Sequence, residues 1–75
     1  MRKYHVTVGA KNPTVVHGKR NQPVASSEFK QWMKKHNTGR VTTSGWKLDE
    51  NNQRSHVTWC FDHLKHALLF KLTFL

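Results

Sequence analysis

The sequence predicts a small α+β domain in which one helix covers one face of an antiparallel sheet. Several stretches alternate apolar and polar residues at period two, as half-buried strands do. One stretch, around Phe29 and Trp32, repeats its apolar residues at helical spacing instead. The joint 62–66, between the last two extended stretches, is too short for the dozen or so residues of a parallel crossover. These elements give the order β-α-β-β-β in a single domain over residues 1–75.

The first strand is read at Tyr4-His5-Val6-Thr7-Val8, with Tyr4, Val6 and Val8 inward and Gly9 ending it. Residues 10–25 follow as a long basic loop carrying Pro13, Gly18 and Pro23 and the polar run Lys19-Arg20-Asn21-Gln22. Thr14-Val15-Val16 is a short extended candidate within it. Loops longer than about 12–15 residues are uncommon in compact domains and are usually functional or disordered.

The helix begins after Ser26 or Ser27, either of which can accept from a first-turn N–H. Glu28 suits the positive end of the dipole, and Lys34 and Lys35 suit the negative end. Phe29, Trp32, Met33 and His36 share one face, and Asn37-Thr38-Gly39 stops the helix.

Arg40 to Leu48 reads as a strand with a fault. Val41 and Thr43 have one parity, and Trp46 and Leu48 the other. A bulge at Ser44-Gly45 brings all four to one face. After the polar turn 49–54, Ser55 to Phe61 forms a strand with Val57, Trp59 and Phe61 inward and His56, Thr58 and Cys60 outward. Asp62 is a good cap for a single helical turn. The closing run 67–75 is then read as the last strand, with Leu68, Phe70, Leu72 and Phe74 inward. The expected core is Tyr4, Val6, Val8, Phe29, Trp32, Met33, Trp46, Leu48, Val57, Trp59, Phe61, Phe70, Leu72 and Phe74.

A chain of 75 residues buries a modest fraction of its surface. Cys60 is the single cysteine, so no disulfide forms within the chain. Three Trp, four Phe and one Tyr must supply most of the core. No stretch approaches the ~20 apolar residues of a membrane span. The start, Met1-Arg2-Lys3-Tyr4-His5-Val6, lacks the apolar segment of a signal peptide. The expected compartment is cytoplasmic.

The formal net charge is +9, and it is unevenly spread. Ten Lys/Arg and one acid lie up to Lys47, whereas three of each follow. Such asymmetry points to nucleic acid, an anionic membrane surface or an acidic protein face.

Catalytic and metal chemistry are poorly supplied. Cys60, Asp62, His63 and His66 are the densest set of potential ligands, but they lack the paired motifs of a structural zinc site. Cys60 with His56 or His63 lacks an oxyanion turn. Four carboxylates leave little for paired acid–base work. Gly18-Lys19-Arg20 does not have the spacing of a phosphate-binding loop. No catalytic residue, metal, cofactor or small-molecule substrate is expected.

The basic surface remains. Lys11, Lys19, Arg20, Lys30, Lys34, Lys35, Arg40 and Lys47 are its principal candidates, with Arg2 and Lys3 beside them. Lys outnumbers Arg, which favours phosphate attraction over base reading. The expected function is a non-enzymatic module that meets nucleic-acid phosphates through the helix and the long loop. The alternative is a protein-binding effector or inhibitor, of the kind viruses encode, docking on an acidic surface such as that of a nucleic-acid enzyme. With the aromatics facing inward, a sheet that stacks bases is disfavoured. Trp46 is the exception, because its side depends on the bulge.

Overall fold

A computed structural model describes residues 3–75 of the chain. It is a small α+β domain with two antiparallel sheets. In chain order the elements are β1 (Tyr4–Gly9), β2 (Val15–His17), β3 (Pro23–Ala25), α1 (Ser27–His36), β4 (Thr42–Leu48), β5 (Arg54–Phe61) and α2 (Leu64–Phe74). The main sheet runs β1-β5-β4, and β2 and β3 form a separate hairpin.

β5 is the central strand. Its register pairs Tyr4 with Phe61, Val6 with Trp59 and Val8 with Val57. Cross-strand partners point to the same side, so these six side chains make one inward face. The other side carries His5, Thr7, His56, Thr58 and Cys60. Among the described residues it displays no Trp, Tyr or Phe, as the alternation requires. Cys60 has the outward parity, yet between His5 and Thr42 it is only 8% exposed.

α1 forms as its signals dictate. Ser26 Oγ accepts from Phe29 N at 3.2 Å, and Asn37 ends the helix in the left-handed region with φ 51°. Phe29 and Trp32 face the sheet and are buried. Phe29 is the hub of the core: its ring centroid lies 5.0 Å from that of Trp59 and 5.1 Å from that of Phe70.

The bulge in β4 is present. The register slips between Thr43 and Trp46, which bring their side chains to the face of Trp59 and Val57. A second slip falls between Lys47 and Leu48, and Leu48 ends 54% exposed rather than in the core. The bulge therefore unites Thr43 and Trp46 but does not carry Leu48 inward.

The closing run is the main correction. It is an α-helix of 11 residues, not a strand. Period two from Leu68 to Phe74 coexists with a helical stripe of His66, Ala67, Phe70 and Phe74. A short apolar run is ambiguous between the two, and one of this length is longer than most strands. Both edges of β5 are already taken by β4 and β1, and α2 packs on the inward face instead. The helix buries His66, Ala67 and Phe70, and it turns Leu72 outward at 84% exposure. Asp62 does not cap α2. His63 holds that position without a side-chain bond, and Asp62 pairs with Lys3.

Residues 10–25 are more ordered than a basic loop. They hold the β2–β3 hairpin, closed by a 3₁₀ turn at Lys19–Asn21 in which Arg20 is left-handed at φ 58°. The single helix on the sheet is thus replaced by two helices and a hairpin.

Candidate functional site

The eight basic residues are all exposed. Lys30, Lys34 and Lys35 lie on the solvent side of α1, opposite Phe29 and Trp32. Lys19 and Arg20 form the tip of the β2–β3 hairpin. Arg40 follows α1. Lys47 pairs with His56 on the uncovered side of the sheet, so it faces away from the α1 lysines. Lys11 sits in the turn after β1. Arg2 lies outside the described residues. Among the described residues, none of the eight forms an ion pair, and Lys3 is joined to Asp62. The Asp62 carboxyl is held below its usual range by the hydrogen bond from Lys3.

The structure brings Lys11 together with residues that charge counting alone passes over. An open cleft of about 480 Å³ is lined by Lys11, His17, Leu48, Asn52, Gln53 and Arg54. On its wall the His17 ring packs on Trp46, with centroids 4.8 Å apart and planes at 31°. The Arg54 guanidinium lies 5.6 Å from the Trp46 ring centroid, in cation–π range. The sequence signals for this group are faint. His17 and Arg54 come to one cleft, both against Trp46, only because a hairpin of two three-residue strands folds back over the bulged end of β4. Arg54 also lies in the half of the chain whose charges cancel.

His63 and His66 have ring centroids 5.6 Å apart, but among the described residues no group of three or more His, Cys, Asp or Glu side chains converges on a common point. His66 is buried with Nδ1 unbonded among the described residues. Burial pushes its pKa below the usual histidine range, with smaller contributions from Lys65, His63 and His36.

The outer face of α2 is apolar. Leu64, Leu68, Leu72 and Leu75 follow one another at intervals of four, four and three, and each is at least half exposed. On the helical wheel Lys65 and Lys71 flank this stripe. No helix among the described residues is long and apolar enough to cross a membrane.

No protein-family model matches this chain, and neither a curated protein nor a solved structure matches it.

Proposed function

We propose that the chain is a non-enzymatic binding module that engages nucleic-acid phosphates through its Lys/Arg surface. The observation that carries this reading is the availability of its charge. All eight basic side chains are exposed, and none is neutralised by a carboxylate among the described residues. The lysines of α1 and the basic tip of the hairpin supply the main contacts. Phosphate contacts position a protein without reading bases, so sequence discrimination is weak. The work is proposed to be cytoplasmic, which the single, unpaired Cys60 supports.

The test is affinity for generic duplex and single-stranded nucleic acid across a salt series. Log affinity should fall against log salt by about 0.9 for each duplex phosphate neutralised. Absence of binding even at low salt would remove this reading.

A second reading is favoured by the leucine stripe of α2. Exposed apolar patches commonly mark protein contacts, and Lys65 and Lys71 beside the stripe suit an acidic rim. On this reading the chain is an effector or inhibitor that docks on an acidic partner protein. It predicts saturable binding that competing nucleic acid does not displace.

A further inference from the structure

The cleft beneath the β4–β5 turn has a more specific chemistry than the rest of the basic surface. Its two cations come from neighbouring segments, Lys11 from the turn after β1 and Arg54 from the start of β5. The β1–β5 register pairs Gly9 with His56, and Ala10 N continues it by donating to Ser55 O at 2.9 Å. The chain then turns, with Asn12 N donating to Gly9 O at 2.9 Å, and this brings Lys11 to the cleft that Arg54 also lines. Two like charges lining one cleft repel each other, and an anion between them reverses that effect. Of the two carboxylates in the turn, Asp49 directs Oδ1 to the backbone N–H groups of Asn51 and Gln53, both at 2.9 Å.

The remaining walls suit a flat, partly apolar ligand. Leu48 is 54% exposed there. His17 and Arg54 present planar groups, both already ordered against Trp46. Asn52 and Gln53 bring carboxamides, which donate and accept at once. Unstacked bases are recognised in this way, by stacking on aromatic rings or guanidinium planes with hydrogen bonds to their edges.

We propose that this cleft binds one unstacked nucleotide, with its base against Leu48, His17 and the Arg54 plane and its phosphate at Lys11. The assignment rests on the nucleic-acid reading above and makes single strands the preferred ligand. The same chemistry is offered by a free nucleotide, so the experiment carries both forms.

The experiment titrates the full chain with an oligothymidylate, with thymidine monophosphate, with a DNA duplex and with inorganic polyphosphate, while following tryptophan fluorescence. Trp32 and Trp59 are buried in the core, so a cleft ligand reports through Trp46. Oligothymidylate should change the fluorescence, and His17→Ala and Arg54→Gln should each weaken its binding about tenfold. Both side chains are exposed, so both variants should melt like wild type. His17→Ala should leave polyphosphate affinity unchanged. An equal response to the monophosphate supports the site and makes the free nucleotide its ligand. Oligothymidylate binding that leaves fluorescence unchanged and is indifferent to His17→Ala overturns the cleft assignment while the phosphate-binding reading stands. No binding of oligothymidylate or duplex at low salt overturns both.

Discussion

Trp59 Nε1 donates to Thr14 Oγ1 across 3.2 Å, and this bond joins the central strand to the start of the hairpin. Thr14 Oγ1 in turn donates to Asn12 Oδ1 at 2.6 Å, and Asn12 Nδ2 donates to Phe74 O at 3.0 Å. The Thr14 carbonyl accepts from Ser26 N, at the cap of α1. One buried threonine thus links the sheet, the hairpin and the entry to α1, and through Asn12 the end of α2. The hairpin is held over the Trp46 end of β4 by this joint.

Thr14→Val keeps the shape and removes the acceptor. A buried donor left unsatisfied costs about 1–3 kcal/mol. The expected result is a destabilisation of that size in urea denaturation, with Thr14→Ser recovering most of it. Equal stability of the valine variant would show that the hydroxyl bond contributes nothing.

Phe70→Ala should be among the most damaging single changes. Phe70 is fully buried, and its ring centroid lies 5.1 Å from Phe29 and 5.3 Å from Phe61. Deleting a buried Phe costs about 3–5 kcal/mol against a total stability of roughly 5–15. A thermal melt lowered by only a degree or two would mean that α2 is not integral to the core.

Phe70 also shows what is legible in the sequence. Its burial follows from its apolar surroundings whether the run forms a strand or a helix. Leu72 shows what is not, because its side depends entirely on the period. At period two Leu72 joins Phe70, and at period 3.6 it faces water with Leu68. α1 carries a cap, a stripe and a stop, so its bounds can be read locally. The cleft cannot, because His17 and Arg54 come to it through tertiary folding of the hairpin, and no local pattern marks that.

Stability should decline in mild acid through His66. Its folded pKa is lowered, chiefly by burial, so the folded form resists a proton that the unfolded chain accepts. The unfolded state then binds more protons, and stability rises with pH. His66 therefore contributes nothing unfavourable well above its ordinary pKa, and it destabilises the fold as pH falls below about 6.5. Denaturation midpoints at about pH 7.5 and 5.5 should differ in wild type, and the difference should narrow in His66→Leu. An unchanged difference would assign the pH dependence to other groups.

Two pairs of surface changes separate the functional readings. Lys34 and Lys35 are exposed on α1, whereas Leu68 and Leu72 are exposed on α2. Neither pair lies in the Phe29–Phe70 core, so Lys34→Glu with Lys35→Glu, and Leu68→Ser with Leu72→Ser, should each fold, with changes of about 0.5 kcal/mol per site. If phosphates are the target, charge reversal at the lysines weakens nucleic-acid binding. It also flattens the salt dependence by about 0.9 log unit for each duplex phosphate that is no longer neutralised. The leucine pair then leaves affinity intact, because hydroxyls on the far helix remove no charge. If an acidic protein is the target, the leucine pair abolishes a dry interface and slows nothing electrostatic, so dissociation accelerates while association holds. Nucleic-acid affinity that is indifferent to the lysine pair would move the phosphate-binding surface off α1, to the hairpin tip and the cleft lined by Lys11 and Arg54.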